Sequence, residues 1–165
     1  YYEKRLELWK KERERKPDSS YALRNLSNSY ESLGNLEKQA NEYEQAKEYY
    51  EKRLELWKKE NERKQDDSDV LDSLSDSYKS LGYLAKSTND YEQKREYYQK
   101  ELEIRKQIVE QKPNDYFALR NLRNAYDKLT DLSNEQGDLE QGEKYEEKAA
   151  EIHARMAALA AENNL

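Results

Sequence analysis

The stretch YYEKRLELWKKENERK at residues 49–64 decides the fold, because it repeats the stretch YYEKRLELWKKERERK at residues 1–16 with one change, Arg13 to Asn61. The Tyr pair that opens both stretches returns at residues 97–98, so the sequence has a period of 48 residues. Self-similarity at a fixed period of this size is typical of solenoids, in which each repeat packs against its neighbours. We therefore predict a repeat protein.

Each repeat holds two amphipathic helices, here called A and B. The spacing of the apolar positions keeps them on one face of a helix with 3.6 residues per turn. On helix A these positions recur in three copies: Leu23, Leu26, Tyr30, Leu33 and Leu36; Leu71, Leu74, Tyr78, Leu81 and Leu84; Leu119, Leu122, Tyr126, Leu129 and Leu132. On helix B the first copy carries Tyr43, Ala46, Tyr50, Leu54 and Trp57. The pattern predicts seven helices, a leading B helix followed by three A–B pairs.

The segments between these helices contain capping and turn residues. The B-to-A junctions contain N-cap residues for the following A helix, and they are Pro17-Asp18-Ser19, Gln65-Asp66-Asp67-Ser68 and Pro113-Asn114-Asp115. The A-to-B turns fall near Asn41, Asn89 and Gly137-Asp138, and Asn and Gly tolerate a left-handed backbone at a helix end. We predict one solenoid domain over residues 1–165, with a half repeat at 1–16 and repeats at about 17–64, 65–112 and 113–160.

The repeat resembles an enlarged tetratricopeptide repeat. In the family pattern W-x2-L-G-x2-Y, Leu23 stands in place of Trp, and Leu26 and Tyr30 match directly. Ala46 and Tyr50 stand at the A-x3-F spacing of the second helix. The family's repeat has roughly 34 residues, and about two extra turns in each helix accommodate the difference, as in the long repeats of bacterial signalling proteins and kinesin light chains. The resemblance implies an all-α, right-handed α-solenoid of antiparallel helix pairs whose A helices line a concave face.

The composition argues against an enzyme. The chain has no Cys and a single His, His153, so thiol chemistry, a zinc site and a catalytic triad lack their residues. The four Gly are scattered and form no phosphate-binding loop. Nearly all carboxylates fall on polar helix faces, where they are solvated. We expect no catalytic residues, no metal and no cofactor.

The charge pattern bears on partners and location. The chain carries 30 basic and 36 acidic residues, interspersed, for a net charge of −6. This balance argues against nucleic acid and anionic membranes as partners. The chain contains no apolar run of membrane-spanning length and no signal peptide at its start, so we expect a cytoplasmic protein or a recombinant product.

The family resemblance implies a non-enzymatic scaffold that holds a peptide or protein partner in the concave groove. The candidate binding residues lie on the A helices beside the packing face: Arg24, Asn28, Asp72, Asp76, Arg120, Arg123 and Asn124. Because Asp72 and Asp76 would repel an anion, a ligand of alternating charge is favoured over a plain carboxylate. The sequence favours a plainer interpretation, in which these residues are solvated and Arg and Asp of neighbouring repeats pair. Tyr21 and Phe117 are best explained by packing at the helix entry.

Three alternatives stay open at the level of sequence. The near identity of residues 1–16 and 49–64 includes exposed positions, which suits an engineered or consensus repeat with no evolved ligand. An RNA-binding helical repeat is less favoured, because it needs a basic groove with aromatic residues. The leading helix also offers an apolar edge, Leu6 and Trp9, for self-association with a second copy.

Overall fold

The computed structural model describes residues 1–163 and places seven α-helices in that part of the chain. Their bounds are α1 (Tyr2–Arg15), α2 (Ser20–Gln39), α3 (Tyr43–Arg63), α4 (Ser68–Ser87), α5 (Tyr91–Gln111), α6 (Tyr116–Glu135) and α7 (Leu139–Asn163). By their register in the 48-residue period, the even-numbered helices are A helices and the odd-numbered helices are B helices. The predicted order, a leading B helix and three A–B pairs, is confirmed.

The chain forms two compact units. Unit 1 runs from Tyr1 to Gln65 and holds α1, α2 and α3, while unit 2 begins at Asp66 and holds the other four helices. Within each unit, every helix packs against the next helix along the chain. This neighbour-only packing is what a solenoid requires. The assignment of both units to one solenoid domain stays a prediction.

The A helices begin at the predicted capping residues. The Ser19 hydroxyl accepts a hydrogen bond from the backbone N–H of Ala22 at 3.1 Å, and the Asp115 carboxylate accepts one from Ala118 at 2.9 Å. The Asp67 carboxylate accepts from the two backbone N–H groups of Asp69 and Val70. These bonds satisfy N–H groups that the first turn of a helix leaves without partners.

The A-to-B turns also lie where the sequence predicts them. Asn41, Asn89 and Gly137 have φ angles of 63°, 56° and 76°, in the left-handed region. Asp66, at the one B-to-A junction that has no Pro, has a φ of 62°. Asn, Asp and Gly enter this region at low steric cost, so these residues end the preceding helices and fix where the next begin.

The core of unit 1 lies between the apolar face of α2 and its two neighbours. Leu6 of α1 is buried in one cluster with Leu26, Tyr30 and Leu33 of α2, and Trp9 packs against that cluster. In unit 2 the corresponding positions of α4 and α6 are also buried. Leu36 is the exception among the packing positions predicted on the A helices, with 45% of its surface exposed, and Tyr91 is a similar exception on the B helices.

Candidate peptide-binding faces

An exposed row of side chains follows α2 in unit 1. Tyr21, Arg24 and Asn28 are all exposed and stand at positions i, i+3 and i+7, which lie on one side of a helix. Tyr21 is 70% exposed, although its ring also meets the edge of Trp9 at a centroid distance of 5.4 Å. We call these three residues the α2 face.

The same row recurs on α6 in unit 2. Phe117, Arg120 and Asn124 are exposed at the same spacing, and we call them the α6 face. The Arg120 guanidinium lies 5.0 Å from the centre of the Phe117 ring, a distance at which a cation and an aromatic face attract. Tyr116 meets the Phe117 ring edge-on at 6.1 Å. This face therefore combines a cation with two adjoining aromatic rings.

Tyr21 and Phe117 are more exposed than their interpretation as packing residues predicts. Phe117 is 63% exposed, and Tyr21 is exposed to a similar extent. Their position at the start of an A helix predicts packing only if another element covers that end of the helix. In each unit the covering is partial, so the aromatic rings are available to a ligand.

The middle repeat has a different arrangement at these positions. Asp72 and Asp76 of α4 are both bound by Arg105 of α5, with Arg105 Nη2 2.7 Å from Asp76 Oδ1. The Nζ of Lys79 also lies 2.6 Å from Asp76. The expectation that these carboxylates repel an anion is therefore corrected, because cations of the same repeat offset their charge. Both carboxylates are bound by Arg105 of their own repeat.

Arg123 stands next to the α6 face without sharing its exposure. Its Nε lies 3.5 Å from Asp127 Oδ2, and its Nη2 donates a hydrogen bond to Asn124 Oδ1 at 3.3 Å. The Nε atom is buried and has no hydrogen-bond partner among the described residues. Arg123 therefore orients Asn124 and Asp127 and leaves Arg120 as the exposed cation of α6 among the candidate residues.

Buried charges between the A and B helices were missed by the sequence analysis. In unit 1 the buried Arg53 of α3 donates to Ser27 Oγ at 3.3 Å and pairs with Glu31 at 3.3 Å. Trp57 Nε1 donates to the same Ser27 oxygen at 2.8 Å. These contacts bind α3 to α2 through polar atoms, beside the apolar core.

Unit 2 has the opposite charge at the position of Arg53. Glu101 is buried there, and Lys128 of α6 binds both of its carboxylate oxygens. The Lys128 Nζ also lies 5.5 Å from the ring centre of Tyr83 and 5.4 Å from that of Tyr98. Burial lowers the pKa of the Lys128 ammonium, against the opposing attraction of Glu101. The pair links α5 to α6 and is not part of either exposed face.

Comparison of the repeats in register would have found one of these charges. Where α3 has Trp57, α5 has Arg105, 48 residues later. At the facing positions, Arg24 and Asn28 of α2 are replaced by Asp72 and Asp76 of α4. A cation that appears on one helix together with two carboxylates on its partner indicates an ion pair between them.

Within residues 1–162, no three His, Asp or Glu side chains are grouped so that they could hold a metal ion. His153 is exposed on α7. In the part of the chain that the structure describes, no helix is both long enough and apolar enough to cross a membrane.

Helix pairs that pack only on their neighbours define an all-α helical-repeat protein. Residues 22–67, which include most of α2 and all of α3, match the family model described as Tetratricopeptide repeat. This segment is therefore similar to a tetratricopeptide repeat, and the prediction of an all-α solenoid is confirmed as the fold class.

The fold of this chain is also found among solved structures. The chain is similar to the crystal structure of BtubC (BKLC) from P. vanneervenii, with a TM-score of 0.67 and 21% sequence identity. The alignment covers 94% of this chain and 58% of that one, so the chain spans less than two thirds of its structural relative. A comparison with curated proteins finds no matching sequence.

Proposed function

We propose that this chain is a non-enzymatic scaffold that binds peptide segments of a partner protein, with the α2 face as the site in unit 1 and the α6 face as the site in unit 2. Tetratricopeptide repeats generally mediate protein–protein interaction, and the family is generally non-enzymatic. The observation that carries the proposal is the recurrence of an exposed aromatic, Arg and Asn triad on two A helices. Tyr21, Arg24 and Asn28 correspond in register to Phe117, Arg120 and Asn124.

The three side chains of each face offer complementary interactions. A largely exposed aromatic ring gains from covering by an apolar side chain, since burial stabilises by about 25 cal/mol per Å² of apolar surface. Arg donates two parallel hydrogen bonds to a carboxylate. Asn both donates and accepts, so it suits the peptide backbone. Aromatic residues and Arg are also enriched among the residues that dominate binding energy at interfaces.

The charges around the two faces define the ligand further. On α2, Glu31 lies one turn beyond Asn28 and is engaged by Arg53. On α6, Asp127 lies beyond Asn124 and is exposed. A ligand that follows either row from its aromatic end therefore meets a cation first and a carboxylate later. Because Glu31 and Asp127 are already paired with Arg53 and Arg123, this order favours a peptide with an apolar residue followed by an acidic one.

The experiment is a selection from a random-peptide display library against the purified chain. The test variant is Arg24→Glu/Arg120→Glu, which reverses one charge in each face. The matched control is Lys52→Glu/Lys148→Glu, which makes the same change in net charge at exposed positions of α3 and α7. We expect enriched peptides to share a motif, to bind the control variant and to lose binding to the test variant.

Two other results would contradict the proposal. If the folded chain enriches no peptide, the alternative of a structural or engineered repeat without an evolved ligand is favoured. If peptides are enriched but bind both variants equally, the ligand uses a different surface.

A further inference from the structure

Five residues recur at one register in all three repeats: a Glu and a Lys of one B helix, a Tyr of the A helix that follows, and a Tyr and a Lys of the next B helix. The copies are Glu7, Lys10, Tyr30, Tyr49 and Lys52; Glu55, Lys58, Tyr78, Tyr97 and Lys100; Glu103, Lys106, Tyr126, Tyr145 and Lys148. Helix α7 keeps this Tyr and Lys, although it has Glu146 and His153 where α5 has the buried Tyr98 and Arg105. The five residues are therefore retained where the core packing of the repeat changes.

The third copy lines a cleft between α5 and α7 in unit 2, which we call the α5–α7 cleft. The cleft has a volume of about 600 Å³, and all five residues of the copy contribute to its lining. Tyr126, the lining residue from α6, is 9% exposed and lies at the bottom of the cleft. Because Tyr126 follows Asn124 by about half a turn, the cleft lies on the side of α6 opposite to the α6 face. Clefts of roughly 300–1,000 Å³ are typical of sites for small organic molecules.

Two tyrosine rings form the apolar part of the cleft. The ring centres of Tyr126 and Tyr145 are 6.3 Å apart, and the buried Leu102 lines the cleft with them. The corresponding rings of Tyr30 and Tyr49 in unit 1 are 6.4 Å apart, so the ring pair is a property of the repeat. Adjoining rings favour an aromatic ligand, since a further ring packs on them offset or edge-on.

The lining of the cleft carries more positive than negative charge. Three lysines and two glutamates line it, for a formal charge of +1, whereas the whole chain carries −6. The lysines are Lys106, Lys144 and Lys148, and the amides of Gln99 and Gln141 add hydrogen-bond donors. Ammonium and amide N–H groups together favour an oxyanion, to which an ammonium donates charge-assisted hydrogen bonds.

Lys106 lies close to both tyrosines of the cleft. Its ammonium pairs with Glu103 of the same helix at 2.8 Å. Burial disfavours the charged form of Lys106, but this pair and the phenols of Tyr126 and Tyr145 outweigh the burial and raise the pKa of Lys106. Ion pairs between residues three apart on an exposed helix face are weak, so a bound oxyanion replaces Glu103 at little cost. A charged ammonium and two phenols therefore converge in the cleft.

We propose that the α5–α7 cleft binds a small aromatic oxyanion, such as an aryl phosphate. The ring of this ligand lies against Tyr126 and Tyr145, and its oxyanion lies between the ammonium groups of Lys106 and Lys148. No residue of the α6 face takes part, so the proposal stands independently of the proposed function.

The two proposals also fail separately. A display peptide that occupied the cleft would lose binding to Lys52→Glu/Lys148→Glu and would keep its binding to Arg24→Glu/Arg120→Glu. A peptide that occupied the α2 and α6 faces would show the reverse.

Three matched probes separate the contributions of ring and charge. Naphthyl phosphate carries both, naphthol carries the ring alone, and inorganic phosphate carries the oxyanion alone. Each probe is titrated into the labelled intact chain, and its affinity for the cleft is measured from the chemical shifts of the α5 and α7 amides. We expect naphthyl phosphate to bind about tenfold or more tightly than either other probe, since it alone uses the rings and the ammonium groups together.

Substitutions in the lining locate the ligand. Lys106→Gln/Lys148→Gln should weaken the binding of naphthyl phosphate by about tenfold and leave that of naphthol unchanged. Tyr145→Leu should weaken the binding of both, because it removes a ring. The control is Lys86→Gln/Lys112→Gln, which removes the same charge from exposed positions of unit 2 and should change neither affinity.

Four outcomes would overturn the proposal. If naphthyl phosphate shifts no amide of α5 or α7, the cleft is not its site. Equal affinities for naphthyl phosphate and inorganic phosphate would indicate binding by charge alone, and equal affinities for naphthyl phosphate and naphthol would indicate binding by the rings alone. An equal loss of naphthyl phosphate binding in Lys106→Gln/Lys148→Gln and in the control would indicate an effect of net charge.

Discussion

The ring of Tyr50 lies directly on the backbone of Gly34, so that a Cβ atom at Gly34 would stand 2.5 Å from Tyr50 Cε1. The same contact joins Tyr98 to Gly82 in the next repeat. In the third repeat the Gly position is Thr130, and the Tyr position is Glu146. Glycine is therefore present where a ring must approach an A helix and is absent where no ring does.

Gly34→Ala should destabilise unit 1 by about 1 kcal/mol, because the strain of overpacking exceeds the gain in helix propensity. In a Tyr50→Ala background the same substitution should stabilise unit 1 by a similar amount. Urea unfolding followed by Trp emission measures both, since Trp9 and Trp57 are the two Trp residues of the chain and both lie in unit 1. If Gly34→Ala changes the free energy of unfolding in the same direction in both backgrounds, the contact between Tyr50 and Gly34 is contradicted.

Alkaline pH should weaken unit 1 through Tyr50. Burial, followed by the nearby charge of Glu31, raises the pKa of Tyr50 to about 12. A tyrosine in the unfolded chain ionises near pH 10, so this stabilisation is complete below about pH 10 and is lost as the pH rises to about 12.

The test compares the wild-type chain with Tyr50→Phe by urea unfolding at several pH values. The wild type should be the more stable at pH 8, because Tyr50 bonds to Asn35. Its advantage should shrink by about 1 kcal/mol by pH 11. If the difference in unfolding free energy between the wild type and Tyr50→Phe stays constant or grows with pH, the raised pKa of Tyr50 is contradicted.

The buried pair of Glu101 and Lys128 should be sensitive to the loss of one partner. Lys128→Met leaves the buried Glu101 carboxylate without its cation and should destabilise unit 2 by about 3 kcal/mol. The double variant Lys128→Met/Glu101→Met should lose much less stability than the single variant, since no unpaired charge remains buried. Thermal unfolding by circular dichroism measures both variants, with Lys79→Met as a half-buried lysine control. Equal losses in the single and double variants would show that the charges are not coupled.

Arg105 should depend on the two carboxylates that it binds. Arg105→Leu should destabilise unit 2 by roughly 1–2 kcal/mol, with the value limited by the partial exposure of Asp72 and Asp76. The further substitutions Asp72→Arg and Asp76→Asn introduce the residues that α2 has in this register. They should recover part of the lost stability, because they remove the two carboxylates that Arg105 binds. Hydrogen exchange of the α4 and α5 amides provides the measurement. No recovery in the triple variant would indicate that Arg105 acts through packing alone.

The repeat, the caps and the turns could be predicted because each depends on local chemistry. Ser19 and Asp115 cap helices, and Asn41 and Asn89 adopt a left-handed backbone, whatever the rest of the molecule does. Periodic apolar residues likewise define a packing face without reference to a partner.

The roles of individual charged and aromatic residues depend on what lies opposite them. Arg53 and Glu101 occupy corresponding positions on B helices, and each is buried only because a partner of opposite charge faces it. Charge alone would place both side chains in water. The exposure of Tyr21 and Phe117 was missed for the converse reason, since an aromatic residue at a helix entry is buried only if another element covers it.

The most direct test of the central claim is chemical-shift mapping of the labelled chain with the most enriched display peptide. We predict that the largest changes occur at α2 around Tyr21, Arg24 and Asn28 and at α6 around Phe117, Arg120 and Asn124. The exposed positions of α3, α5 and α7 should remain unchanged. Changes confined to those B helices would contradict the claim that the A-helix faces bind the partner.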